Sequence, residues 1–283
     1  MADLLFYEKP AALNKTTHAQ TRIRKQETNF SFAAGTNSVI LAGVEFTEAA
    51  KEYPIVFART GQQIVPVALL GLRNDENLYI SADGQWASRY IPAFVRRYPF
   101  VLAETGAAGQ RVVCIDEAYS GFNENDGEAL FEGEEPSAYL KQAMDFLEEY
   151  QKQYVRTETF IKRLDANDLL MTLNARVDMV AGDHFALSGL MVVDEKKLLE
   201  MPDSAALELF RTGELAWIYC HLMSLGNMSR LVDKLAKRTG GAQPAAGESE
   251  ANESATADDS AAADDSAAAD DIATADKSGK KKK

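Results

Sequence analysis

Between Val39 and Ser81 the chain alternates β-rich apolar runs with brief polar breaks, and this pattern limits the fold more than any other feature. VILAGVEF (39–46), IVFAR (55–59), IVPVALLGL (64–72) and LYIS (78–81) are divided by segments as short as Gly61-Gln62-Gln63 and Arg73 to Asn77. Short runs joined by such turns predict an antiparallel meander. Pro66 lies near the start of the third run and predicts an edge or a bulge there, because proline cannot donate to a ladder. In the longest break, Thr47 is placed to cap a helix over TEAAKEY that Pro54 stops.

Two amphipathic stretches supply the helical layer. After Pro136, Leu140, Ala143, Leu147, Tyr150, Tyr154, Ile161 and Leu164 recur mostly by threes and fours, which predicts a long helix from Ser137 to about Leu164. Glu214 to Arg238 carries Leu215, Ile218, Leu222, Leu225 and Val232 at the same period, widened by Trp217, Leu231 and Leu235. Such a wide face predicts burial against the sheet and another helix, or against a second subunit. Between the two lie expected strands at 169–179 and 185–193 and a helical turn at KKLLEM closed by Pro202. A helix from Ser204 to Arg211 follows, capped by Asp203 and ended by Gly213. The expected fold class is α+β, with a mostly antiparallel sheet of six or more strands packed against two long helices.

The folded part is expected to span residues 1–238. Beyond it, SATADD, SAAADD, SAAADD and IATADK recur from Ser254 to Lys277, without aromatic residues. A segment that can bury so little is expected to stay disordered as an acidic repeat tail over 239–283, ending in lysines. The whole chain carries −13; the tail holds ten of the acids and five lysines, which leaves −8 on residues 1–238. An acidic surface favours solubility and disfavours nucleic acid and anionic lipid as partners of the folded domain. No apolar window is long enough for a transmembrane helix, and MADLLFYEKPAALN lacks the basic start of a secretory signal, so the cytoplasm is the expected location.

Residues 4–7 read as a short strand or an anchor tucked onto the core. His18 to Asn29, with Arg22, Arg24 and Lys25, reads as a solvated arm or as a basic contact for an acidic partner. The acidic segment 117–135 does not meet the register of a calcium loop, and a mobile loop or lid is expected. Cys114 and Cys220 sit among apolar neighbours as small buried thiols, with no zinc-ligand spacing. His18, His184 and His221 form no metal motif, and Cys220 and His221, adjacent on a helix, cannot make a nucleophile–base pair. GxGxxG, Walker A and GxSxG are absent, so no cofactor is named.

The densest concentration of binding chemistry is Tyr79 to Ala103, YISADGQWASRYIPAFVRRYPFVLA. It is expected to run as strand, tight turn at Ala82-Asp83-Gly84, short helix within 88–98 ended by Pro99, and a second strand. That strand, 100–103, would pair with 111–116 across the loop 105–110. Arg96 and Arg97 could grip a carboxylate or phosphate, since guanidinium forks bind both bidentately, with Trp86 and Tyr90 as an apolar wall. The plainer alternative is that one arginine pairs with an acid such as Glu104 or Glu45 while the other is solvated.

The order VEF, YPIVF, PVALLGLR, ENLYI, DGQW, YIPAFVRRYPFVL, then FALSGLMVVDEKKL and LAWIYCHLMSL, resembles the bacterial SapC family from about Leu4 to Leu235. The resemblance implies association with paracrystalline surface layers and a role around cell-surface protein export; it brings no catalytic residues. The expected function is a non-enzymatic, cytoplasmic, SapC-like accessory protein that recognises a peptide, a small anion or a cell-surface protein through Trp86, Tyr90, Arg96 and Arg97. Two rivals stand beside it. One is an enzyme with a dispersed active site using Asp183, His184 and acids of the 117–135 loop. The other is a homo-oligomeric structural module built on Trp217 and Leu222.

Overall fold

The computed structural model describes residues 5–24, 29–104, 111–178 and 184–240. The loop 105–110, Lys25, Asp183 and the repeat tail lie outside these residues, and so does the disorder expected of the tail. Thirteen strands are present among them: β1 (Pro10–Ala12), β2 (Arg22–Ile23), β3 (Ser38–Ile40), β4 (Ile55–Thr60), β5 (Gln63–Leu69), β6 (Phe100–Glu104), β7 (Arg111–Asp116), β8 (Phe122–Asn123), β9 (Glu128–Ala129), β10 (Phe131–Glu132), β11 (Glu135–Pro136), β12 (Leu170–Asp178) and β13 (His184–Val193). Seven α-helices accompany them: α1 (Phe46–Ala49), α2 (Ala93–Arg96), α3 (Ala138–Ala166), α4 (Glu195–Glu200), α5 (Asp203–Thr212), α6 (Glu214–Ser224) and α7 (Asn227–Thr239).

The class is α+β, and every named strand pair is antiparallel. The strands divide among several sheets, not the single one expected. The largest has the order β12-β13-β4-β5-β3; a second is β1-β7-β6; a third is β8-β2-β9; and β10 pairs with β11. β5 lies between β4 and β3 and is no edge; past Ile40, opposite Val67, the Leu41 amide still donates to the Pro66 carbonyl at 3.0 Å, but Pro66 has no N–H to return and the β3–β5 ladder ends there.

Three elements differ from the sequence reading. VILAGVEF is a strand only to Ile40; Gly43–Glu45 forms a 3-10 turn that runs into α1 at Phe46, so Thr47 is inside the helix and caps nothing. LYIS is a turn with a single bridge, Ile80 to Trp86. The expected last helix is two helices, because the path bends at Leu225-Gly226 while α6 and α7 both keep their apolar faces on one core. Trp217 is 6% exposed within that core, and Leu222 packs against it, so this face is occupied inside the fold.

α3 is the spine, 29 residues long. The Ser137 hydroxyl accepts from the Leu140 amide at 3.2 Å and starts it. Its first half buries Leu140 and Leu147 with Ile23, Phe100, Ile115 and Leu130 in a small core. Its second half buries Tyr150, Phe160, Ile161 and Leu164 in the main core, against the five-stranded sheet and α6. One helix serves both cores because its stripe is continuous over a length of about 44 Å.

The turn before α1 docks against α6 at unusually close range. The Gly43 amide donates to the Thr157 hydroxyl at 2.8 Å, and a Cβ at residue 43 would lie 2.4 Å from the Trp217 ring. Trp217 cannot yield easily: Phe160 meets it edge-on at 5.3 Å and the Arg156 guanidinium covers it at 4.5 Å. Gly43→Ala is expected to cost about 1–3 kcal/mol through overpacking, read as a lower denaturant midpoint at unchanged slope; an unchanged midpoint would refute the tight contact.

The arm and the acidic segment satisfy one another. β2 is the middle strand between β8 and β9, so 117–135 is built into small sheets and is no lid. Arg24 pairs with Asp126 at 2.7 Å, Lys15 with Glu134 at 2.9 Å and Lys9 with Glu117 at 2.8 Å, while the Arg22 guanidinium donates to the Gly127 carbonyl. The acidic partner of the basic arm is this chain's own loop. Phe6 and Tyr7 are the N-terminal anchor, packed on Phe32, Phe94 and Tyr98.

Candidate functional site

α2 is a single turn after Pro92, and it sends its two arginines apart. Arg97 folds inward: its guanidinium lies 3.9 Å from the Phe94 ring centroid and 5.5 Å from that of Tyr150. Its Nε is buried without a hydrogen-bond partner. Arg96 is exposed; its Nε donates to the Ile91 carbonyl at 2.9 Å and its guanidinium sits 5.2 Å from the Phe146 centroid. Neither meets Glu104, which pairs with Arg111 at 3.9 Å.

Glu45 organises the surroundings of Arg96. It is 6% exposed, and its carboxylate accepts the Ala42 amide at 2.8 Å, the Ala93 amide at 2.7 Å and the Tyr90 hydroxyl at 2.7 Å. Burial pushes its carboxyl above the ordinary range; those three donors and the Arg96 charge pull the other way and are outweighed. Burial likewise raises the Tyr90 phenol, and the Glu45 charge beside it adds to that rise. Glu45 therefore fixes the start of α2 and, through it, the place of Arg96.

Trp86 does not form a wall beside the arginines. It is 9% exposed, and its indole N–H donates to the Tyr53 hydroxyl at 2.8 Å, which in turn donates to the Tyr90 carbonyl. Its role is to hold the Tyr90 backbone from behind. Of the four expected site residues, Tyr90 and Arg96 share a cavity, while Trp86 and Arg97 are packed into its supports.

Arg96 belongs to the walls of two cavities. One, of about 220 Å³, is bounded by Glu45, Glu48, Tyr90, Phe146, Glu149 and Tyr150, a set in which acids outnumber the single cation. The other, of about 330 Å³, is lined by Phe30, Phe32, Tyr98, Tyr119 and Tyr139 together with Ile91, Val95 and Arg96. Phe32 stacks on Tyr98 at 4.1 Å, and Tyr119 meets Tyr98 edge-on at 5.4 Å. Tyr98 is held by Asp116, which is fully buried and accepts the Tyr98 hydroxyl at 3.0 Å and the Glu8 and Lys9 amides at 3.1 and 2.8 Å. This second cleft offers an aromatic enclosure with one guanidinium in its wall.

The other chemistry-bearing residues go elsewhere. His18 is buried, its Nδ1 accepting from the Asn14 amide at 3.0 Å and its Nε2 lying 3.2 Å from Glu117. His221 is buried within the main core, and His184 opens β13. Cys114 and Cys220 are free thiols. Among the described residues no group of three or more His, Cys, Asp or Glu could hold a metal ion, and no helix is long and apolar enough to cross a membrane.

The amino-acid sequence matches the SapC family over residues 13–231. The chain belongs to the SapC family. No curated protein and no solved structure matches it. The matched span of this SapC chain takes in the aromatic cleft, Glu45 and α2, and ends early in α7.

Proposed function

We propose that this SapC-family chain is a non-enzymatic accessory protein that binds an apolar carboxylate, of the kind presented by the C-terminal residue of a peptide. The observation that carries the reading is the 330 Å³ cleft with five aromatic side chains and Arg96 as its charged group. Pockets of this size lined by apolar rings with a few placed polar groups are how proteins hold small ligands. A guanidinium beside such a wall meets a carboxylate with two parallel hydrogen bonds, while the rings take the side chain. The cytoplasmic location expected from the sequence and the surface-layer link implied by the family belong to the same proposal: the ligand would be part of a protein destined for the cell surface.

The test is calorimetric titration with N-acetylphenylalanine and, in parallel, its amide. The acid is expected to bind about tenfold more tightly than the amide, a difference of about 1.4 kcal/mol, and Arg96→Gln is expected to erase that preference without lowering Tm. Equal binding of acid and amide, or no binding of either at 10 mM, would overturn the proposal.

A further inference from the structure

A third concavity lies away from α2, between the end of α1, the segment 87–89 and α7. It is an open groove of about 670 Å³ bounded by Lys51, Arg89, Arg230 and Lys234, with Glu52 as its one carboxylate. Four cations against one acid invert the sign of a chain whose net charge is −13.

The charges are also largely uncompensated. Glu52 turns both carboxylate oxygens onto the Arg89 backbone amide, at 3.1 Å each, and so fixes the loop, while among the described residues it makes no ion pair. Arg230 donates to the Lys51 carbonyl at 3.0 Å, a neutral partner. Among the described residues, Lys51 alone of the four is paired with a carboxylate, Glu48 at 2.6 Å. Lys234 rests over the Tyr79 ring at 4.5 Å. Its ammonium is held below its ordinary range by burial and by the nearby Lys237 and Arg238, against which Glu52 pulls it up. Arg89, Arg230 and Lys234 thus line one groove, among the described residues without an ion-pair partner, an arrangement that a bound multivalent anion would neutralise.

We propose that this groove is a binding site for an oligophosphate, a ligand carrying two or three adjacent phosphate groups. Two guanidinium forks and two ammonium groups match tetrahedral oxyanions in both charge and hydrogen-bond geometry. The groove has room for several such groups and remains open to solvent at one side. The site is separate from the cleft beside Arg96 and does not rest on what that cleft binds.

The probe is inorganic tripolyphosphate, titrated calorimetrically into the full chain at low salt. Saturable binding of one equivalent is expected, weakening as ionic strength rises. Arg89→Gln and Arg230→Gln, both at exposed positions, should each lower affinity about tenfold, as the loss of one charge-assisted contact does. Lys234→Gln should do the same, and the two arginine variants keep the test valid if that half-buried position affects folding. Arg96→Gln should bind tripolyphosphate unchanged, which separates this site from the other cleft. Absence of saturable binding, wild-type affinity in both arginine variants, or equal affinity for citrate would each overturn the assignment.

Discussion

Acidification from pH 7.5 to 4 is expected to remove about 3 kcal/mol of stability through His221 alone. This imidazole is fully buried at 0% exposure. Its Nδ1–H donates to the Ile55 carbonyl at 2.8 Å, and its Nε2 accepts from the Val193 amide at 3.0 Å. The neutral ring thus joins α6 to β4 and β13, with Phe57 beside it at 4.8 Å. Burial lowers its pKa from 6.5 to about 4; the bond to Ile55 opposes that only in part. A depressed histidine favours the neutral form in the folded state, so the unfolded chain binds more protons between the two values. The contribution is therefore complete above 6.5 and is lost as pH falls through 4; a separation of that size corresponds to about 3 kcal/mol. Urea unfolding across this range should show the slope, and His221→Gln should flatten it. His221→Ala should cost about 3–5 kcal/mol at pH 7.5, since it leaves a buried carbonyl, a buried amide and a void. A slope identical in wild type and His221→Gln would disprove the assignment.

His221 also shows what a sequence hides. Read locally, it is a histidine next to a cysteine on an apolar helix. Its function comes from β4 and β13, 166 and 28 residues away. Two further polar residues on the same side of the chain act alike. Ser224 accepts the Ile55 amide at 2.9 Å, and the Asn227 side chain donates to the Ala50 carbonyl at 2.7 Å. Spaced by three, these residues form a polar seam inside an otherwise apolar stripe, and periodicity records them only as interruptions.

What was legible was local. The stripe of α3 and its Ser137 cap, the β4–β5 and β6–β7 hairpins, and β12 with β13 follow from period and turn chemistry, because each depends on near neighbours. VILAGVEF misled because a short apolar run does not distinguish strand from buried turn; the turn after Ile40 is held by Glu45, whose carboxylate binds the Ala42 amide locally and residues 90 and 93 at a distance. The break at Gly226 was masked because both helices present apolar faces to one core. At the site, adjacent helical residues point about 100° apart, so Arg96 and Arg97 could not share one ligand. That much was available from spacing. The aromatic wall was not: Phe30 and Phe32 come from beyond the basic arm, Tyr119 from within the acidic segment and Tyr139 from just after it, so only the tertiary fold assembles them.

Glu45→Ala is expected to be the most damaging single change near the cleft, at about 3–5 kcal/mol out of a total that for most domains is about 5–15. Two of the three donors it satisfies, the Ala42 and Ala93 amides, belong to buried residues and would be left unpaired; the third, Tyr90, can turn toward solvent. Glu45→Gln should cost less, about 1–3 kcal/mol, because one oxygen is kept while the new NH2 group faces an amide donor. The two variants also separate by pH. Burial raises the folded-state pKa above the ordinary 4.5, so the proton is favoured in the folded state, carried on the oxygen where the Tyr90 hydroxyl can reverse and accept. The stability linked to that proton is complete below 4.5 and declines as pH rises through the raised value. The advantage of wild type over Glu45→Gln should therefore shrink from pH 4.5 to 7.5, in the opposite sense to His221. Because α2 starts on the Ala93 amide, both variants should also weaken carboxylate binding at Arg96 while leaving tripolyphosphate binding intact. If Glu45→Ala loses less than about 1 kcal/mol, the carboxylate is not what holds α2; if it unfolds the chain while Arg96→Gln does not, support and recognition reside in different residues of one site.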